Sequence, residues 1–299
     1  MPVKMRRHYR SYLGRVSRVE IALVGDLKFF PGTMPKRRSG VDILLEERYH
    51  EKQTVLLTLN RPEVLNAFNS DLGRVLNATL DHLRDDKTVR VLVITGKGRA
   101  FSTGGDLKER NTMTPDQWAA HHRLLEEVHR KLRTFPKPYL CAVNGMALGG
   151  GLEMALSADF CYAATDASFG FPEVGRGIIP GVGGTQTVGR FVSRGRALEL
   201  LLTGKPISAI EAYHYGLVNK VIDSVQLIPE ILKTADILAK NSPFAVQMAK
   251  KAFRVGIDMP LEEGVDMALE CYNRTIVHPD REEGVRAFNE RRPPQFLDS

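Results

Sequence analysis

The sequence contains no hydrophobic run long enough to cross a bilayer, and it has few cysteines. A transmembrane helix needs roughly 18 or more consecutive apolar residues, and no such run occurs in the 299 residues. Cys141, Cys161 and Cys271 are widely separated and have no CxxC spacing. These absences argue against a membrane partner and a disulfide scaffold, and they predict three buried thiols in a reducing compartment.

Signatures of several enzyme classes are also missing. The chain has no GxSxG nucleophile elbow, no GxxxxGK(S/T) phosphate loop and no HExxH zinc motif. His121 and His122 are adjacent in a predicted helix, so they point in different directions, which suits solvent better than a metal ion. Gly181–Gln186 half resembles a dinucleotide fingerprint but lacks its third glycine. We therefore expect neither a metal ion nor a separate cofactor.

Positive charge is concentrated at the N-terminus. Residues 1–40 hold ten Lys or Arg against two acidic residues, so this extension accounts for the formal net charge of +7 and leaves the remaining chain near neutral. A near-neutral body gives no electrostatic reason to expect nucleic acid as a partner. The extension is typical either of a mitochondrial transit peptide, which implies the matrix, or of an upstream start or disordered leader, which in a bacterium implies the cytoplasm.

Hydrophobic patterning predicts an α/β core followed by helices. Apolar strands alternate with helices of 3.6-residue period as far as about residue 185, and helices predominate afterwards. The predicted strands are Thr54–Leu59, Val89–Thr95, Tyr139–Val143, Phe160–Ala164 and Ala167–Phe171. The predicted helices include Asp71–Leu83, Pro115–Leu132, Ala197–Leu202, Ser208–Tyr215 and Pro243–Val255. This order predicts a layered α/β core with an appended helical region that serves assembly.

Two glycine-rich segments follow predicted strands. Gly104 and Gly105 lie in the first, where the missing Cβ atoms let a carbonyl approach and meet a main-chain donor. Gly149–Gly151 opens a helix, whose exposed N–H groups would stabilise an oxyanion. Glu153 falls in the same first turn, where an acidic residue can also serve only the helix dipole.

A third segment, residues 169–186, places Glu173 in a rigid turn after Pro172. A turn glutamate can be a plain surface acid. Burial beside Phe171 and Val174 would instead raise its pKa towards the range in which a carboxyl group donates a proton at neutral pH. Glu153 and Glu173 are therefore the candidate acid–base residues.

These three segments, with two more downstream, resemble the enoyl-CoA hydratase/isomerase, or crotonase, superfamily over roughly residues 41–297. The matching stretches are AF-x-x-G-x-DLKE at 100–109, NG-x-ALGGGLE at 144–153, FG-x-PE and IIPGVGGTQ within 169–186, LTGKPISAIEAYHYGLVNKV at 202–221 and EEGVRAFNERRPPQF at 282–296. The resemblance implies an α/β fold: a crotonase-like spiral of ββα units over residues 41–225. It also implies a C-terminal helical trimerisation region over residues 226–299, with residues 1–40 as an extension.

The resemblance further implies a site for an acyl-CoA thioester, in which coenzyme A is part of the substrate. The amides of Gly105 and Gly150 would hold the thioester oxygen, although the position of Gly105 is more often alanine in the family. Glu173 would handle the proton at the α-carbon, and Glu153 would hold the water. The implied substrate-binding residues are Asn66, Ala67, Gly105, Asp106, Leu107, Lys108, Gly149 and Gly150.

Two glutamates favour hydration of a 2-trans-enoyl-CoA, because family members with a single glutamate tend to be double-bond isomerases. A δ-isomerase and a methylglutaconyl-CoA hydratase stay open as alternatives within the family. A non-catalytic homologue that binds acyl-CoA or RNA is an alternative of a different class. The family assembles as homotrimers or hexamers, and the sequence does not choose between them.

Overall fold

The computed structural model describes residues 42–49 and 53–297. The targeting or leader prediction for residues 1–40 lies outside the described residues. The strands of the described part are β1 (Leu44–Tyr49), β2 (Thr54–Leu59), β3 (Val91–Gly96), β4 (Ala100–Ser102), β5 (Tyr139–Val143), β6 (Met146–Leu148), β7 (Phe160–Ala164), β8 (Ser168–Gly170), β9 (Ile207–Ser208) and β10 (Lys220–Ile222).

The helices comprise an N-terminal and central set and a C-terminal set. The first set is α1 (Ser70–Asp85), α2 (Leu107–Arg110), α3 (Pro115–Arg133), α4 (Gly150–Ala155), α5 (Gly184–Thr187), α6 (Arg194–Thr203) and α7 (Ala209–Tyr215). The second set is α8 (Leu227–Ala239), α9 (Pro243–Gly256), α10 (Leu261–Ile276) and α11 (Pro279–Asn289). Short 3-10 turns cover Pro62–Val64, Pro172–Arg176 and Val188–Arg190.

A six-stranded sheet in the order β1-β2-β3-β5-β7-β10 forms the centre. Only the edge pair β1–β2 is antiparallel, and β2, β3, β5, β7 and β10 run parallel. Every residue of β3 and β5 is buried. Strands covered on both faces read as unbroken apolar runs in the sequence, and this is why the predictions for β2, β5 and β7 are confirmed.

The remaining strands form a second, four-stranded sheet in the order β4-β6-β8-β9. Each turn of the chain places one strand in the large sheet and the next in the small sheet, as in β3–β4, β5–β6 and β7–β8, and then a helix follows. Parallel strands need such crossovers. The predicted spiral of ββα units is therefore confirmed.

Helices α1 and α3 pack against each other. The side chain of Asn69 caps α1 by accepting a hydrogen bond from Leu72 N at 2.9 Å, and Thr114 with Gln117 forms a capping box at the start of α3. The buried residues of α1 include Leu72, Leu76, Leu80 and Leu83. Their spacing is the helical period from which this element was predicted.

Helices do predominate after about residue 185, but the structure adds two short strands that the sequence did not predict. Strand β9 pairs antiparallel with β8, and β10 extends the large sheet parallel to β7. Strands of two or three residues are too short to show a periodic pattern, so their neighbours in the sheet decide them. The division of the chain at residue 225 stays a prediction.

Helix α8 contacts β2, β3, β5 and β7, so it covers one face of the central sheet. Helices α9–α11, together with the residue that follows α9, expose many large apolar side chains. These are Phe253, Ile257, Leu261, Val265, Leu269, Tyr272, Ile276, Val285 and Phe288. Within the described residues, no helix has the length and apolar character needed to cross a membrane.

The three cysteines are free and buried, as the sequence predicts. Cys141 and Cys161 face each other as register partners in β5 and β7. Burial raises the pKa of the Cys141 thiol to about 12. Both groups are therefore unreactive members of the core.

Candidate active site

A cavity of about 390 Å³ opens where the two glycine-rich loops meet. It is lined by residues from both loops, from α3 and from the segment that follows the turn at Pro172. The lining residues are Phe68, Gly105, Arg110, Trp118, His122, Leu125, His129, Gly150, Glu153, Glu173, Ile178, Ile179, Gly181 and Val182. Four residues singled out in the sequence, Gly105, Gly150, Glu153 and Glu173, thus share one cavity.

The two glycine loops touch with no room for a side chain between them. A Cβ atom placed on Gly104 would lie 2.8 Å from the amide nitrogen of Gly150, and Gly104 has φ +83°. Gly150 is the first residue of α4, so its N–H has no partner within the helix. Among the described residues, neither Gly105 N–H nor Gly150 N–H donates a hydrogen bond. Two unengaged donors therefore lie on loops that contact each other.

A buried ion pair holds the first loop. Arg61 Nη2 lies 3.0 Å from Asp106 Oδ2, with both side chains largely shielded from solvent. Asp106 also caps α2 by accepting hydrogen bonds from Lys108 N and Glu109 N. Burial opposes ionisation of Asp106, but Arg61 and the two amides outweigh it and hold its pKa below the usual value. The ion pair fixes the peptide of Gly105, which directly precedes Asp106.

The remaining predicted substrate contacts on this side are of two kinds. Asn66 is fully buried. Its Oδ1 accepts a hydrogen bond from Arg61 N, and its Nδ2 donates to Lys97 O and Ala100 O, so the side chain stabilises the loop and is not free to bind a ligand. Ala67 O accepts from Arg61 Nη1. Leu107 and Lys108 are exposed on α2 and do not line the cavity.

Glu153 reaches the cavity from the first turn of α4 and is almost completely buried. Its Oε1 accepts hydrogen bonds from Val182 N at 2.9 Å and Gly184 N at 2.6 Å. Its Oε2 lies on the side of Gly150, 4.0 Å from where a Cβ of that residue would be. Two amides therefore fix the orientation of this carboxyl group and leave its second oxygen on the side of Gly150.

Glu173 approaches the same place from the 3-10 turn Pro172–Arg176. A Cβ on Gly149 would lie 2.6 Å from Glu173 Oε1, so only glycine fits there, and Gly149 also has φ +52°. The other oxygen, Oε2, is buried and has no hydrogen-bond partner in the described part of the chain. The carboxyl groups of Glu153 and Glu173 thus both lie next to the Gly149–Gly150 peptide. Of their oxygens, Glu173 Oε2 is the buried one without a partner among the described residues.

The two glutamates differ in their surroundings. Burial is the main cause that raises the pKa of Glu173 to about 7, and the charge of Glu153 adds to it. Arg176 and Arg110 oppose the rise. A carboxyl group that titrates near neutral pH can give or take a proton at working pH. The expected rise in the pKa of Glu173 through burial is therefore confirmed.

Sequence reasoning missed several residues of the cavity wall. Trp118, His122, Leu125 and His129 repeat at spacings of three and four along α3, and this helical stripe was the available signal. Arg110, directly after the matching loop, gave no periodic signal.

The prediction that both histidines at 121 and 122 suit solvent is wrong for His121. His121 is 4% exposed and its Nδ1 lies 3.0 Å from Ser70 Oγ. It points to the interface with α1, while His122 lines the cavity. Adjacent helical positions do diverge, but here one of them meets a neighbouring helix.

The amino-acid sequence is similar to those of known enoyl-CoA hydratases. The profile of the enoyl-CoA hydratase/isomerase family matches residues 50–299. A crotonyl-CoA hydratase of Syntrophomonas wolfei is 36% identical over 257 residues, which are 86% of this chain and 98% of that protein. A short-chain-enoyl-CoA hydratase of Clostridium acetobutylicum is 35% identical, covering 84% of this chain and 95% of that one.

Solved structures of enoyl-CoA hydratases also share the fold of this chain. The crystal structure of an enoyl-CoA hydratase from Bacillus anthracis superimposes with a TM-score of 0.83 at 37% identity, covering 86% of this chain and all of that one. The family profile spans both glycine loops and both glutamates. The chain belongs to the enoyl-CoA hydratase/isomerase family of the crotonase superfamily.

Proposed function

We propose that the protein hydrates 2-trans-enoyl-CoA thioesters to 3-hydroxyacyl-CoA thioesters. The observation that carries this proposal is the shared cavity, in which two unengaged amides and two carboxyl groups come together. Relatives of similar length that are named crotonyl-CoA hydratase and short-chain-enoyl-CoA hydratase support the same reaction.

In this proposal, the N–H groups of Gly105 and Gly150 receive the thioester oxygen. Attack at the β-carbon moves an electron pair through the double bond to that oxygen, which becomes an enolate. Donors that point at the developing charge in a cavity shielded from water contribute about 3–4 kcal/mol each. The positive end of α4 adds to the effect of Gly150, because Gly150 is its first residue.

The carboxyl groups divide the proton transfers between them. Glu153, held by the amides of Val182 and Gly184, orients the water with Oε2 and takes one of its protons as the hydroxyl adds to the β-carbon. Glu173, with a raised pKa and an unpaired Oε2, donates a proton to the α-carbon. One proton is taken and one is given, so the product is the substrate plus one water, and the pair regains its starting state by passing a proton between the two groups.

The coenzyme A moiety is proposed to follow the first loop, from Gly105 through Asp106 and Leu107 to Lys108. Because the carboxylate of Asp106 and the amide of Asn66 are engaged within the protein, main-chain groups of this loop make the contacts. Lys108 is exposed there and supplies a positive charge for a phosphate.

Assembly is proposed to use α9–α11, which expose many large apolar side chains. An apolar surface of this kind marks a protein interface more often than a free surface. A homotrimer, alone or paired as a hexamer, would cover it.

The decisive test follows the disappearance of the conjugated double bond of crotonyl-CoA, with 3-hydroxybutyryl-CoA identified as the product. A 3-enoyl-CoA offered in parallel measures isomerisation. Rapid hydration with slow isomerisation is the expected result. Isomerisation alone would transfer the proposal to the isomerases of the family. Salt-sensitive RNA binding, without any effect of crotonyl-CoA, would favour the non-catalytic alternative.

A further inference from the structure

Arg110, the last residue of α2, is a cation in the cavity wall. Within the described residues, its guanidinium forms neither a hydrogen bond nor an ion pair, and its Nε is buried without a partner. It lies over the ring of Trp118, with Cζ 5.1 Å from the ring centroid. A half-buried guanidinium without acceptors is unusual, because desolvating a charge is costly unless it is paired.

Gly105 makes room for this guanidinium. A Cβ on Gly105 would lie 2.5 Å from Arg110 Cζ and 2.6 Å from Nη2. An alanine at position 105 would therefore force the arginine to move. The glycine costs the loop some rigidity, and what it permits is a positive charge directly beside the proposed thioester site.

The acidic residues of the cavity do not neutralise Arg110. Burial lowers the pKa of its guanidinium, while Glu109, Glu173 and Glu153 act only through longer-range attraction. Glu109 is used elsewhere, since its carboxylate accepts a hydrogen bond from Ser70 N at the start of α1. Glu153 is held by two amides on the other side of the cavity.

The chemistry of the free guanidinium defines a partner. The guanidinium stacks with its flat face on the Trp118 ring, so the N–H groups along its edge stay available to bind an acceptor. That planar edge matches a carboxylate, which it binds through two parallel hydrogen bonds. A purely hydrocarbon acyl chain has no acceptor to offer, so it would leave the cation unpaired.

We propose that Arg110 is a specificity-determining residue that binds a carboxylate at the free end of the acyl group, so that the preferred thioesters are CoA monoesters of unsaturated dicarboxylic acids. This inference rests on the proposed acyl-CoA site and names its substrate class. The carboxylate lies beside Arg110 and Trp118, while the thioester oxygen lies at Gly105 and Gly150.

The test compares two thioesters that differ by the carboxylate alone: crotonyl-CoA and glutaconyl-CoA, in which a carboxylate replaces a methyl hydrogen. The readout is the ratio of their kcat/KM values. We expect the unaltered enzyme to favour glutaconyl-CoA and Arg110→Met to lower the ratio on the order of 100-fold, as expected for a lost hydrogen-bonded charge pair. Arg110→Lys, which keeps the charge and loses the two-pronged geometry, should fall between them.

Arg176→Met is the matched control. Arg176 also acts on Glu173 by its charge, but it is exposed and does not line the cavity. It should leave the ratio of the two thioesters unchanged. An equal loss on both thioesters in Arg110→Met would overturn the proposal, because it would assign Arg110 to the CoA phosphates or to the general field of the site.

A binding measurement separates this inference from the proposed reaction. Glutaryl-CoA and butyryl-CoA are saturated and cannot be hydrated, so calorimetry reports recognition alone. Tighter binding of glutaryl-CoA that disappears in Arg110→Met supports the inference even if neither enoyl thioester is hydrated. Equal affinity of the unaltered protein for both thioesters contradicts it even if crotonyl-CoA is hydrated rapidly.

Discussion

Within residues 42–49 and 53–297, the cavity and the C-terminal helices α9–α11 leave opposite kinds of groups without partners. In the cavity they are polar: the amides of Gly105 and Gly150, Glu173 Oε2 and Arg110. On the C-terminal helices they are apolar, as at Leu261 and Phe288. A buried polar group without a partner is stabilised by a polar ligand, and an exposed apolar surface is stabilised by another protein surface.

The two regions should therefore respond to different substitutions. Loss of a carboxyl group from the cavity should affect the reaction and leave assembly intact. Loss of apolar contact on α11 should affect assembly first. Any substitution that moves both properties together would break this division.

The largest effect is expected from Glu153→Gln and Glu173→Gln. Each should lower kcat for crotonyl-CoA by about 10²–10⁴-fold, because glutamine can neither take nor give the proton. The measurement is steady-state kinetics together with the molar mass in solution. Glu199→Gln, which removes an exposed carboxylate from α6, is the control. Full activity in either cavity variant would refute the paired-carboxylate mechanism.

The next effect concerns assembly. Phe288 is 82% exposed on α11, and Phe288→Asp should weaken self-association by about 2–4 kcal/mol if this face is an interface. Light scattering across a dilution series measures the change. Val225, 78% exposed outside α9–α11, gives the control Val225→Asp. An unchanged oligomer in Phe288→Asp would remove α11 from the interface.

A smaller effect on kcat is expected from a substitution at Gly149, whose backbone packs against Glu173. Gly149→Ala places a Cβ 2.6 Å from Glu173 Oε1 at φ +52°, so it should displace that carboxyl group and lower kcat by roughly 10- to 100-fold. Gly177→Ala is the matched control, since Gly177 has φ +73° with nothing within 4 Å of the added atom. Both should also lose stability, because each glycine has a positive φ that other residues rarely adopt. Equal kcat values would show that Glu173 does not depend on Gly149.

The smallest effect is a shift in pH dependence. The pKa of Glu173 is raised to about 7, so its proton is lost as pH rises through that value. If Glu173 donates to the α-carbon, kcat/KM should fall by about tenfold per pH unit above that pKa. Arg176 lowers this pKa, so Arg176→Met should move the fall to higher pH by a few tenths of a unit, reduced by solvent screening. A flat profile above neutral pH would exclude Glu173 as the acid.

Much of the large sheet was predictable because its strands are buried on both faces. The run Tyr139–Val143 matched the strand bounds in full, and the helical stripe of α1 was equally plain. The small sheet was predicted poorly, because β4, β6 and β9 contain two or three residues each and have no period to detect. Their pairing depends on strands that are distant in the chain.

The candidate site shows the same division. The glycines and glutamates could be named from their segments, since costly glycines at a helix start and an acid in a rigid turn are local features. The role of Arg110 could not, because it depends on the space left by Gly105 and on the distance to every acceptor around it. His121 was misjudged for a similar reason, since α1 covers it.

The sequence by itself determined the family and the strands and helices long enough to show a period, and it singled out Glu153 and Glu173, because these follow from local pattern and local chemistry. Only the tertiary structure decided that Gly105 and Gly150 present their amides on touching loops and that Glu173 is buried enough to titrate near neutral pH. It also decided that Arg110 lines the same cavity without a hydrogen bond or ion pair to any other described residue. The physical reason is that burial and the lack of a partner are set by segments distant in the chain, and no local pattern encodes them.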